Sequence, residues 1–157
     1  MKRNNNPIVP HDNLRLHSAE RNDKWEDYIW ESFVDSLKDT DVRYYPNVEW
    51  VRPQLKEFYN VPDGSDLMVG DGSDRCIKYF FELYSNKSVV LSDPCFGMYN
   101  VYAYMMGMGV VSVPYNFGKF DVKNTIHNIT KDSVVVLSNP SSPIGDVISR
   151  GDLLKIL

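Results

Sequence analysis

The stretch Val134-Val135-Val136-Leu137, continuing into Ser138-Asn139-Pro140-Ser141-Ser142-Pro143-Ile144-Gly145, constrains the fold more than any other part of the chain. A short run of wholly apolar, mostly β-branched residues reads as a strand buried on both faces, and such strands belong to parallel sheets. The run then breaks into small polar residues, two prolines and a glycine, just before a second apolar stretch that reads as a helix. In open α/β sheets, ligands lie outside the carboxyl ends of the strands, so this loop is expected to wall a small-molecule site.

The same rhythm precedes it. Leu67-Met68-Val69, Val89-Val90-Leu91 and residues 110–113 read as strands, with a further strand over 133–138. Helices are expected over 74–84, over 97–106, near 122–129 and from about Ser149. Strands and helices alternating at this length specify an α/β fold, a mainly parallel sheet with helices on both faces. Upstream, a polar arm rich in proline and asparagine leads to a helix from about Lys24 to Lys38, which Asp23 can cap. Trp25, Ile29, Phe33 and Leu37 recur along it at helical spacing, a stripe that suits core packing. An extended Val42-Arg43-Tyr44-Tyr45-Pro46 follows, because the residue before proline avoids the helical region. A second helix is expected from about Trp50 to Tyr59, with Pro53 in its first turn.

Composition excludes several function classes. Net charge is −4 and there is no basic block, which argues against a nucleic-acid partner. The amino terminus is polar and lacks the apolar stretch of a secretory signal. Cys76 and Cys95 form neither a CxxC pair nor a disulfide framework, and unpaired thiols suit a reducing cytoplasm. From Pro94 to Gly118 no residue is charged, long enough to span a bilayer, but Asn100, Gly107, Gly109, Ser112, Pro114 and Asn116 interrupt it. A buried helix, a glycine turn and a buried strand account for it without a membrane. The three histidines lack metal-ligand spacing, and neither an HExxH nor a GxSxG motif occurs.

The chemistry is concentrated at three turns. Val69-Gly70-Asp71-Gly72-Ser73-Asp74 joins a strand to a helix, where glycines admit close approach and helix-start amides attract a phosphate. The same turn also reads as a plain helix start capped by Ser73 or Asp74. Arg75 stands at the third glycine position of GxGxxG, so the dinucleotide fingerprint fails, and the P-loop ending is absent. Phe96, after Ser92-Asp93-Pro94-Cys95, can cover a planar ring or simply pack in the core. With the loop 138–145, these turns offer an anion cradle, an aromatic plate and a small polar wall at one sheet edge. That combination suits a phosphorylated aromatic cofactor.

In order along the chain, five segments resemble the fold type I pyridoxal-phosphate aminotransferases, and within them the histidinol-phosphate aminotransferase-like branch. Arg15-Leu16-His17-Ser18-Ala19-Glu20-Arg21-Asn22 resembles the branch's Asn-Glu motif, and Tyr45-Pro46 its Tyr-Pro. Gly72-Ser73-Asp74 resembles the phosphate loop, and Asp93-Pro94-Cys95-Phe96-Gly97-Met98-Tyr99 the Pro-x-Tyr-x-Met-Tyr segment. Asn139-Pro140-Ser141-Ser142-Pro143-Ile144-Gly145 resembles the Asn-Pro-Asn-x-Pro-x-Gly loop.

The resemblance implies pyridoxal 5'-phosphate as cofactor, with Gly72, Ser73 and Asp74 at its phosphate, Phe96 on its ring and Ser142 near its phenolic oxygen. It also implies a cytoplasmic homodimer acting on an amino acid and a 2-oxo acid, in which Tyr45 reaches the phosphate held by the other subunit. Residues 1–47 would form an arm and small-domain segment, and 48–157 an incomplete cofactor-binding large domain. Ala19 stands where the branch usually has asparagine before glutamate, and Ser142 stands where many members have asparagine. In the family, the lysine that carries the cofactor, the acid beside its ring nitrogen and the arginine for the substrate carboxylate all come later than Leu157. Lys119, Lys123, Lys131 and Lys155 do not resemble the lysine loop. The implied protein is therefore the amino-terminal part of an aminotransferase, with no catalytic residue and no metal site assigned and no transamination expected from these residues alone. Two rivals stay open: a non-catalytic aminotransferase-like binding or dimerisation protein, and a Rossmann-like domain for a dinucleotide or S-adenosylmethionine.

Overall fold

The computed structural model describes residues 24–40, 43–45 and 47–157, which divide into two units meeting at Asn47 and Val48. In the first unit, helix α1 spans Asp27–Lys38 and buries none of its residues. Its preceding residue, Glu26, makes no side-chain cap, and the expected cap Asp23 lies outside the described residues, as does the Asn-Glu-like segment around Ala19.

The second unit opens with α2, Val48–Phe58, which starts earlier than the spacing suggests. Pro53 therefore sits inside the helix rather than in its first turn, and it gives up one backbone hydrogen bond of the helical ladder. Helix α3 (Ser73–Leu83) follows, then strand β1 (Ser88–Asp93), helix α4 (Gly97–Met105) and strand β2 (Val110–Pro114). Helix α5 (Val122–His127), strand β3 (Ser133–Val136) and helix α6 (Arg150–Ile156) complete the order. Asp121 and Ser149 cap α5 and α6 through their side chains.

The sheet has the order β2-β1-β3 and both ladders are parallel, with Val89 paired to Val110 on one side and to Val134 on the other. Strand β1 lies in the middle and is the one buried through Val89, Val90, Leu91 and Ser92. Val89 and Leu91 share one face of the pleat and pack with Phe81 of α3 and Tyr99, Tyr102 and Ala103 of α4. Val90, pointing the other way, is equally buried.

Three further expectations need correction. The stripe at α1 expected to pack in a core is open, with Trp25, Phe33 and Leu37 exposed. Leu67-Met68-Val69 forms no strand: the segment alternates half-buried, exposed, half-buried as a strand would, yet joins no ladder. The run Val134–Val136 is a strand, but half-buried along its length, because β3 has one neighbour in the sheet while β1 has two. Among the described residues, no helix is long and apolar enough to cross a membrane; the uncharged stretch resolves into α4, a glycine turn and β2.

Candidate functional site

Because β1 and β3 run parallel, the turns that follow them leave from the same edge of the sheet. Phe96 stands after β1, immediately before α4, and the polar loop stands after β3. The glycine turn reaches this edge by a different route, since no strand delivers it. Tyr102 near the end of α4 donates its hydroxyl to the Asp74 carboxylate at 2.9 Å. One helical turn earlier, Tyr99 shares a 2.9 Å hydrogen bond with the Ser138 hydroxyl. Residues three apart lie on one helix face, so α4 ties the start of α3 and the end of β3 to the helix that Phe96 begins.

The glycine turn is built for close approach. Gly72 holds φ 92° and ψ 167°, directly before α3, and no side chain caps that helix. The space where a Cβ would sit on Gly72 is open, with nothing within 4 Å. Gly70 is different: a Cβ there would lie 2.9 Å from the Cys76 Sγ. A backbone hydrogen bond within the turn, together with the pair to Arg75 at 3.1 Å, holds the Asp71 carboxyl below the usual range. Arg75 is thus committed to its own turn. Ser73 and Asp74 begin α3, exposed to solvent.

Phe96 is 39% exposed and meets Tyr99 edge-on, with centroids 5.6 Å apart and planes at 81°. Its neighbour Cys95 accepts a hydrogen bond from Asn100, while burial pushes the thiol up. Tyr99 thereby supports Phe96 with its ring and the β3 loop with its hydroxyl.

The loop after β3 is pinned at two levels. Asn139 accepts from the Ile148 amide at 3.0 Å and donates to the Ile148 carbonyl at 3.3 Å, closing the base. Above it, the Ser141 amide donates to the Asp146 carbonyl at 2.8 Å, and the Asp146 amide donates to the Ser141 hydroxyl at 3.0 Å. The Gly145 amide then closes a tight turn onto the Ser141 carbonyl at 2.7 Å. Ser141 and Asp146 are buried, whereas Ser142, Pro143 and Ile144 between them are exposed. Asp93–Pro94, Asn139–Pro140 and Ser142–Pro143 are cis.

Of the residues expected from sequence, Gly72, Ser73, Asp74, Phe96 and Ser142 lie on turns that α4 links together. Tyr45 belongs to the other unit and is fully exposed. Ser138 and Asn139 belong to the loop expected to wall the site, whereas Tyr102 and Asp146 were not singled out by the sequence. The tyrosines carried a signal, the three-residue spacing on one helix. Asp146 carried none, because its partner Lys119 is 27 positions away.

The family model for aminotransferase class I and II matches residues 27–157. A histidinol-phosphate aminotransferase from Thermococcus gammatolerans is 28% identical over 133 residues, covering 82% of this chain and 38% of the relative. Another from Thermoanaerobacter sp. is 32% identical over 138 residues, covering 82% and 38%. Among solved structures, L-threonine-O-3-phosphate decarboxylase from Porphyromonas gingivalis is similar with a TM-score of 0.68 at 20% identity, covering 83% of this chain and 38% of that one. At that identity the likeness concerns the fold alone. The chain spans about 38% of the length of the curated relatives it matches.

Proposed function

The chain belongs to the class I and II aminotransferases, and on that premise we propose that it supplies the phosphate grip and ring face for pyridoxal 5'-phosphate. The observation that carries this reading is the pair of α4 tyrosines, which draw the glycine turn and the β3 loop toward Phe96. The residues fit the cofactor. An uncapped helix start with open space before Gly72 suits a phosphate dianion, and the partly exposed Phe96 ring suits a flat heterocycle.

The roles follow from donor chemistry. Ser73 donates its hydroxyl and its amide to the phosphate. Asp74 contributes its backbone amide; its carboxylate has no proton to donate and is engaged by the Tyr102 hydroxyl. Ser142 donates its hydroxyl to the phenolic oxygen, with a shorter reach than an amide. Bound pyridoxal phosphate supplies an electron-withdrawing ring that stabilises charge developing at the substrate Cα. Residues 48–157 are read as part of the cofactor-binding large domain, and 1–47 as an arm and small-domain segment.

For the whole protein we propose amino-group transfer between an amino acid, or an amino phosphate ester, and a 2-oxo acid. A cytoplasmic homodimer, with Tyr45 reaching the other subunit's phosphate, accompanies that reading. The names of the matched relatives support it, and amino acid biosynthesis with it.

Equilibrium titration of the purified chain with pyridoxal phosphate tests the proposal. Saturable binding that inorganic phosphate displaces, with no borohydride-fixed adduct at one specific lysine, is expected. Absence of displaceable binding would refute the assignment, as would equal binding of a dinucleotide or S-adenosylmethionine.

A further inference from the structure

The loop after β3 is fastened to the segment after β2 by one carboxylate that neither the motifs nor the proposed cofactor contacts use. Asp146 is buried, its side chain only 6% exposed, yet it belongs to a surface loop. One oxygen accepts from the Lys119 ammonium at 2.7 Å, and the other from the Phe120 amide at 2.9 Å. Both partners come from the segment after β2, where the backbones of Asn116 and Lys119 bond to each other in a short turn. Asp146 thus fastens the loop after β3 to the turn after β2. Through its backbone it also bonds Ser141 in both directions. Ser141 and Asp146 are the buried feet of an arch whose span is Ser142-Pro143-Ile144-Gly145.

We infer that Asp146 is a positioning residue: it anchors the arch that presents Ser142 to the phenolic oxygen of the cofactor, with Lys119 as its counter-charge. The inference rests on the cofactor reading given above. Its physical basis is reach. A serine hydroxyl extends less far than an amide side chain, so the backbone beneath it has less freedom to wander and still make the contact. A buried carboxylate with two charge-assisted or backbone donors is a rigid anchor, stronger than a neutral hydrogen bond in the same place. Lys119 itself is 79% exposed, so its removal leaves packing intact while stripping the anchor of its ion pair.

The test uses the 157-residue chain, as parent, Asp146→Ala and Lys119→Met. Each is titrated separately with pyridoxal phosphate and with inorganic phosphate, and amide hydrogen exchange is followed at Ser141, Gly145 and Asp146. Asp146→Ala is expected to weaken pyridoxal phosphate by about tenfold, the scale of one lost hydrogen bond to a charged group. Inorganic phosphate, held at the α3 start, changes by less than about twofold on the same scale. Exchange at the three amides accelerates in both variants, less in Lys119→Met than in Asp146→Ala. Should Asp146→Ala not fold, Lys119→Met carries the same comparison, with a loss of about threefold for the cofactor alone. The inference is overturned if both ligands weaken in parallel, if pyridoxal phosphate affinity is unchanged, or if exchange is unaltered. A parent chain that binds no pyridoxal phosphate overturns the cofactor reading itself. Failure of the inference alone shows instead as a parent that binds and variants that match it.

Discussion

Gly72 occupies a backbone region, φ 92° with ψ 167°, that side-chain-bearing residues essentially do not enter. A methyl added there meets no atom within 4 Å, so Gly72→Ala costs stability through strain alone, about 1–3 kcal/mol. The methyl would also intrude into the open space in front of α3, so pyridoxal phosphate affinity falls in the same variant; urea denaturation and ligand titration read the two effects separately. Tyr102→Phe makes a milder change. It removes the hydroxyl that holds Asp74 and leaves the ring in the core, at a cost of about 1 kcal/mol. A Tyr102→Phe chain as stable as the parent, with unchanged ligand affinity, would mean that α4 does not tether the glycine turn. Acid provides a third residue-level test. Lys119 and the Phe120 amide hold the Asp146 carboxyl below the ordinary 3.8. A depressed folded-state value contributes stability that is present above the unfolded value and lost as pH falls through the folded one. Protection of the Ser141 and Gly145 amides, taken relative to their intrinsic exchange rates, is therefore full near neutrality and falls as pH drops below about 4. Lys119→Met shifts that loss of protection to higher pH; an unchanged profile would show that the ion pair does not hold the loop.

At the scale of elements, β1 and α4 carry the arrangement. Leu91 is 1% exposed and packs on α3 and α4, so Leu91→Ala destabilises the second unit by about 2–5 kcal/mol in chemical denaturation. A loss below about 1 kcal/mol would indicate that this core is loosely packed. The alternation of strands and helices was legible because mainly apolar runs at 89–91, 110–113 and 134–137 are separated by helical patterns bounded by glycine, asparagine and proline. Other features were written in places a local reading does not reach. Leu67-Met68-Val69 has the composition of a strand, but composition does not supply the neighbour a ladder requires. The valines of β3 resemble those of β1, and only the order β2-β1-β3 decides which set is buried on both sides. Pro53 marked a helix start by preference, and the helix began earlier because Val48 and Glu49 extend it. The motif residues Gly72, Phe96 and Ser142 were visible by type and position. The atoms joining them, from Tyr102 to Asp74 and from Lys119 to Asp146, bridge 28 and 27 positions and had no signature.

For the molecule as a whole, apolar surface is left open. In α1, Tyr28, Trp30, Phe33, Val34 and Leu37 are all exposed. Beside β3, an apolar cavity of about 220 Å³ is lined by Ile77, Phe80, Phe81 and Val135. Exposed apolar side chains and a strand with one ladder partner favour association, so sedimentation of the chain is expected to show concentration-dependent self-association. A strictly monomeric species with a sharply cooperative melt would contradict that. The central claim is that three turns, separate in sequence, form one grip for a phosphorylated ring. Amide NMR of the isotopically labelled chain during titration with pyridoxal phosphate tests it most directly. Concerted, saturable shifts at Gly72, Ser73, Asp74, Phe96 and Ser142 are predicted, with inorganic phosphate shifting only the first three. Shifts scattered away from these turns, or confined to one of them, would contradict the account.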